Sequence, residues 1–166
     1  MKRRIWILIL AIVLGLGWYA FRPELLFVRT SVNEGLPVVA AQPPATALLG
    51  GKFKSVAHET RGTATVYRLD DGRRVLRLSD FATSNGPDVR VYLVAAHDAG
   101  DAETVKKAGF VEVGKLKGTD GDQNYEVPAD LDLGKYRAVT IWCRRFSVNF
   151  GTAPLMNDAM QSMNVQ

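Results

Sequence analysis

The chain of 166 residues has a single cysteine, Cys143, and only two histidines, His58 and His97. One cysteine excludes an internal disulfide and any multi-cysteine zinc or iron–sulfur site. The histidines fall in no H-x-x-x-H spacing and there is no C-x-x-C, so no metal site is expected. A G-x-S-x-G nucleophile motif, a phosphate-cradling glycine loop and a placeable pair of catalytic carboxylates are also missing, which sets ordinary hydrolytic enzymes aside. A basic patch for nucleic acid is lacking too. The net charge is +4, but Lys2, Arg3, Arg4, Arg22 and Arg29 lie at or near the N-terminal segment, and from Thr46 onward the charges nearly balance. That distribution reads as membrane orientation, not as a nucleic-acid footprint.

What the chain does have is a basic start, residues 1–4, followed by an apolar run over residues 5–21. As a helix this run of about 17 residues extends roughly 25 Å, at the short end for a bilayer core. Trp6, Trp18 and Tyr19 sit near its ends, where interfacial aromatics belong. Arg22, Pro23 and Glu24 follow it, and the first small-residue cleavage candidate, Val39-Ala40-Ala41, lies too far downstream for a signal peptide. The expectation is an uncleaved single-pass anchor over residues 1–21, with the N-terminus cytoplasmic and the remainder periplasmic or extracellular. Residues 22–45, with Pro23, Pro37, Pro43 and Pro44, have linker composition.

From Thr46 the character changes to short segments rich in β-branched and aromatic residues, separated by Gly, Asp and Asn clusters. Strands are expected at 52–57, 63–69, 74–79, 89–95, 110–117, 125–127, 136–143 and 146–150, with a hairpin at Asp70-Asp71-Gly72 and one helix at 101–108. This predicts an all-β fold, an antiparallel β-sandwich of about eight strands over residues 46–156, preceded by one N-terminal transmembrane helix and followed by a tail at 157–166.

Cys143 stands in the stretch 136–150, where alternation breaks at Arg144 and Arg145. Two adjacent guanidinium groups favour a thiolate and make Cys143 the first candidate for redox chemistry, with Arg144 and Arg145 as thiolate-stabilising candidates. Against this, both parities of 138–143 are largely apolar. Such a strand is central and covered on both faces, and a free cysteine there is often only a small buried hydrophobe. His58 could ligate a prosthetic group or accept a proton from a thiol, or simply be structural. His97 reads as a solvated loop residue. Two polar loops, 81–88 and 118–125, carry oxygens of a kind that bind calcium, but turn formation accounts for those residues without an ion.

Several segments together resemble the electron-transfer DM-thirteen domain family, a relative of the DOMON domains. They are Gly51-Lys52-Phe53 with His58 and Gly62; Val75-Leu76-Arg77-Leu78 with Asp80-Phe81; Asn85-Gly86-Pro87-Asp88 with Val91-Tyr92-Leu93; Gly114 to Gly118 with Gly121; Gln123-Asn124-Tyr125 with Val127-Pro128; and Ile141-Trp142-Cys143 with Phe146, Phe150-Gly151, Ala153 and Leu155. The resemblance implies a β-sandwich and a redox role centred on Cys143, as a bare thiol or as the ligand of a prosthetic group such as haem, with His58 as second ligand or proton partner. It further implies a redox partner protein, and a carrier or accessory module more than a stand-alone enzyme. The competing reading is a non-catalytic module that presents the Asn85 and Asp120 loops to a carbohydrate or protein partner.

Overall fold

The computed structural model describes residues 2–21, 28–37 and 45–157, and the side chains of the first segment over residues 3–19. The segment Lys2–Phe21 is helical (α1). Among the described residues no helix is long and apolar enough to cross a membrane.

Among the described residues nine strands form two antiparallel sheets. The first is ordered β1-β3-β4-β7, with β1 Thr46–Lys52, β3 Arg61–Arg68, β4 Arg74–Ala82 and β7 Asp120–Val127; the second is ordered β2-β9-β8-β5-β6, with β2 Lys54–Ser55, β9 Val148–Pro154, β8 Ala138–Cys143, β5 Val89–Val94 and β6 Phe110–Lys115. Between the sheets, Leu76 and Leu78 of the first meet Leu93, Ile141 and Phe150 of the second in one close-packed core. The outer face of the second sheet is covered as well. Tyr92, Val94 and Trp142 pack there against Ala99 and against Val105 of helix α2, Ala102–Ala108. All six residues of β8 are therefore buried, as expected of a strand apolar on both parities. Helix α2 starts where Asp101 accepts a hydrogen bond from the Thr104 amide at 2.7 Å, and ends in the last turn at Lys106 and Lys107, which suit the negative end of the helix dipole.

The two-layer architecture matches the predicted sandwich, with nine strands in place of eight. Several strands depart from their expected limits: β2 is all that stands within residues 53–57 of the expected 52–57, and β9 begins and ends later than the expected 146–150, whose first two residues lie in a turn. β1 covers T-A-L-L-G-G-K, ahead of the expected start at 52. Its glycines suit a close approach to β9, since a Cβ on Gly51 would lie 1.9 Å from the Pro154 carbonyl oxygen. β7 runs from Asp120, through most of the expected polar loop 118–125, because its polar side chains find partners within the fold. Gln123, wholly buried, donates to the Gly118 carbonyl at 2.9 Å and accepts from the Tyr125 hydroxyl at 2.7 Å.

Part of the expected linker is docked. Residues 28–37 lie along the free edge of β7, in parallel. The Thr119 amide donates to Thr30 O (2.8 Å), Val32 N to Asp120 O (2.9 Å) and Glu34 N to Asp122 O (2.9 Å). This strap covers an edge that would otherwise expose a row of unpaired amides and carbonyls. A Cβ on Gly121, whose φ is +95°, would lie 2.2 Å from Val32 O, so glycine there admits the strap. The rest of the expected linker, 22–27 and 38–44, and the expected tail from 158 lie outside the described residues.

Glu34 fastens the strap. Its carboxylate accepts from Lys117 Nζ at 2.8 Å and from the Asn124 amide at 2.8 Å. Partial burial pushes the Glu34 carboxyl up, but the Lys117 hydrogen bond, the Asn124 amide and the charges of Lys117 and Arg77 together hold it below the ordinary value. A depressed folded value stabilises the docked strap above the unfolded pKa, and this stabilisation is lost as pH falls through the folded one. Acidification below about pH 4 should therefore speed hydrogen exchange at residues 32 and 34 before the core amides respond. In Glu34→Gln that acid step should disappear. The ion pair is partly solvated, so the effect corresponds to about 1 kcal/mol or less.

Candidate functional site

At one end of the sandwich β4, β6 and β8 finish and β3, β5, β7 and β9 begin. Cys143, the last residue of β8, has Val89 of β5 and Val148 of β9 as its cross-strand partners. Its side chain is 1% exposed and belongs to the inter-sheet core with Val89 and Phe150. The register shifts between Ile141 and Trp142, leaving Phe150 as the extra residue of a bulge on β9. Phe150 thereby turns its ring into the core beside the β8 terminus.

The chain leaves the core immediately after the cysteine. Residues 144–147 form an exposed turn in which Ser147 adopts φ +54°. The Arg144 backbone amide donates to Asp88 O at 2.9 Å and its Nε to Asp88 Oδ2 at 2.8 Å. The other carboxylate oxygen of Asp88 accepts from Arg90 Nε at 2.6 Å, and Arg90 in turn binds Glu112 at 2.8 Å. Burial pushes the Asp88 carboxyl up, but the two guanidinium groups outweigh it and hold the group below the usual carboxylate range. Arg144 is thus directed at Asp88, the residue that ties the start of β5 to the turn. Arg145 is exposed beside it.

His58 is half-buried, with its ring on that of Phe150 at a centroid distance of 3.9 Å. Its backbone amide and that of Val56 both donate to Phe150 O. Nearby, the Thr60 and Thr83 hydroxyls share a hydrogen bond at 2.9 Å. His58 and Cys143 therefore reach the same end of the fold, His58 against the Phe150 ring and Cys143 in the core cluster to which Phe150 belongs. His97 lies in the loop after β5.

The two polar stretches expected as loops also converge here. Thr83 N donates to Thr119 O at 2.9 Å, and Asn85 Nδ2 reaches Val28 O of the strap at 3.1 Å. Asn85 lines two cavities. One of about 270 Å³ is bordered by Arg29, Glu59, Arg61, Thr83 and Ser84. The other, about 170 Å³, is bordered by Thr30, Gly86, Val89 and Gly118. Buried polar groups hold the second rim in place: Gln123 Oε1 accepts from the amides of Lys117 and Gly118, and the Lys117 amide also donates to the Tyr125 hydroxyl. Burial raises the Tyr125 hydroxyl well above its ordinary pKa, so it stays a proton donor. Gln123, Tyr125 and the Thr60–Thr83 pair carry no sequence signal for these roles. Asp88 and Arg90 do, being two residues apart and so on one face of a strand.

The arrangement does not fit a haem between Cys143 and His58. Neither residue lines either of the two cavities, both of which fall below the usual size of a cofactor pocket. The thiol is enclosed by close-packed side chains, and one face of the imidazole is occupied by Phe150. No step through a haem follows from this geometry.

A family model described as electron transfer DM13 matches residues 52–155, which include His58, Cys143 and every strand from β2 to β9. No curated protein and no solved structure matches the chain.

Proposed function

We propose that this chain, which belongs to the electron transfer DM13 family, works as a membrane-anchored, extracytoplasmic redox module in which Cys143 is a guarded thiol. Family membership over residues 52–155 carries the redox reading, and Cys143 is the sole thiol in that span. The buried cysteine lies one residue from an exposed turn, so displacement of residues 144–147 would uncover the sulfur without unfolding the sandwich. The anchor reading rests on the sequence, with Lys2, Arg3 and Arg4 retained in the cytoplasm ahead of the apolar run 5–21.

The test is the redox state of the thiol in cells. Membranes from aerobic and anaerobic cultures, quenched in acid and treated with a maleimide–polyethylene glycol reagent in detergent, should differ in the fraction of chain that shifts on a gel. A thiol equally free under both conditions, in a chain whose Cys143→Ser variant supports the same electron flow, would overturn the reading.

One observation favours a second function. The Asn85 and Asp120 stretches meet beside two open cavities while the thiol is enclosed, which suits a binding module. That reading expects Cys143→Ser to be silent and Asn85→Ala to abolish partner retention in a pull-down from the producing cells. The redox module expects the reverse ranking.

A further inference from the structure

We infer that the Cys143 end of the sandwich docks on the membrane surface, against anionic lipid headgroups. The inference rests on the anchor reading above and adds to it an orientation and a lipid preference.

Three independent observations point to this end. The first is where the chain enters the domain. Residue 28 is at the Cys143 end, held by Asn85 through its carbonyl, and the strap then runs along β7 towards the opposite end, where Pro37 meets Arg73 and Val75. Only seven peptide steps separate Phe21 from Val28, which limits the span to roughly 25 Å. The end of α1 is therefore tethered close to this face of the domain and not to the other.

The second is the distribution of exposed apolar side chains. Outside α1, the large hydrophobics exposed among the described residues are Val28, Val56, Phe110 and Phe146. Val28 lies at the entry point, Val56 beside Phe150 and Phe146 on the turn after Cys143, all at this end. Phe146, 54% exposed, is the type of side chain that settles at a headgroup boundary. Phe110 alone is at the far end, and it stacks on Tyr92 at 4.2 Å.

The third is charge. Arg29, Arg61, Arg144 and Arg145 surround these side chains, all exposed, and Arg29 is 82% so. Glu59, Asp80, Asp88 and Asp120 are the acids among them, with Asp88 bound by Arg90 and Arg144 and Asp120 4.0 Å from Arg29. The turns at the opposite end are mixed, with Asp70, Asp71, Asp130 and Asp132 beside Arg73, Lys135 and Arg137. The exposed guanidinium groups of Arg29, Arg61, Arg144 and Arg145 draw this end of the domain to an anionic surface. The field acts within about 8 Å at physiological salt, so the cations must come close to the headgroups. Each that does adds roughly a fivefold preference for the docked state.

The full chain in nanodiscs of phosphatidylcholine, with and without phosphatidylglycerol, tests this by hydroxyl-radical footprinting read by mass spectrometry. Oxidation of Phe146 should fall roughly fivefold or more in the anionic discs. Phe110, 44% exposed at the opposite end, should be oxidised equally in both. Arg29→Glu with Arg145→Glu should restore Phe146 oxidation without altering the near-ultraviolet circular dichroism. If the chain co-purifies with discs and Phe146 is oxidised alike in both lipids, or is protected together with Phe110, the orientation is overturned while the anchor stands. A chain that fails to co-purify with discs removes the anchor and this inference together.

Discussion

Iodoacetamide is expected to alkylate Cys143 on the order of a thousandfold more slowly in the folded chain than in the same chain unfolded in urea. The thiol is 1% exposed, so reaction must wait for an opening, and openings of a stable domain cost several kcal/mol. The size of the protection reports which opening is used. Global unfolding would give the largest factor and a steep dependence on denaturant. Release of residues 144–148 alone would give a smaller factor and little dependence on denaturant, because little surface is exposed. Asp88 decides between them. It holds the turn through the Arg144 side chain and backbone, so Asp88→Ala should speed labelling about tenfold if the turn is the gate, in line with the loss of charge-assisted hydrogen bonds. Alkylation of the native chain within about tenfold of the unfolded rate would mean that the sulfur is open to solvent and would end the guarded-thiol reading.

Gly62→Ala should be strongly destabilising. Gly62 has φ +110°, and a Cβ there would lie 2.7 Å from Phe81 Cα and 2.7 Å from the Ser79 carbonyl oxygen. These are backbone atoms of the bulge in β4, where Asp80 adopts φ +49° and the register with β3 shifts. The bulge turns Phe81 into the core against Phe53, at a ring distance of 5.3 Å, and aims the chain into the loop that carries Asn85. Left-handed strain and overpacking against backbone together give about 3 kcal/mol, a fall in thermal midpoint of roughly 10–15 °C for a domain of this size. Gly72→Ala is the comparison. It shares a positive φ, +82°, but nothing lies within 4 Å of its Cβ, so only the conformational part of the cost, about 1 kcal/mol, should appear. Equal midpoints for the two variants would show that the close approach of β3 to β4 does not hold in solution.

The legible part of this fold is the part written in side-chain alternation. β3, β4, β5 and β8 are near their expected positions because their apolar residues recur every second position or, in β8, at every position. The strap could not be read that way, since its attachment is mainly backbone to backbone and composition reports only its prolines. β7 was obscured for a related reason: D-G-D-Q-N-Y-E-V resembles a turn-forming stretch until Gln123 and Tyr125 are seen to satisfy each other inside the fold. At the site, parity pointed to burial of Cys143, whereas adjacency suggested a thiol among arginines. Adjacency is a poor guide where a strand ends in a turn. Arg144 follows Cys143 in the chain, but its guanidinium is held by Asp88.

The direction of the strap has a mechanical consequence. It is parallel to β7, with its first described residue, Val28, at the Cys143 end of the sandwich. Tension transmitted from α1 pulls the strap along its own axis, so the hydrogen bonds of Thr30, Val32 and Glu34 are loaded together in shear. An antiparallel strap entering at the same end and doubling back would instead be peeled one bond at a time. A pull from the N-terminal side is in this way delivered to the edge of the sheet as a shared load, and the turn that covers Cys143 lies outside the line of force.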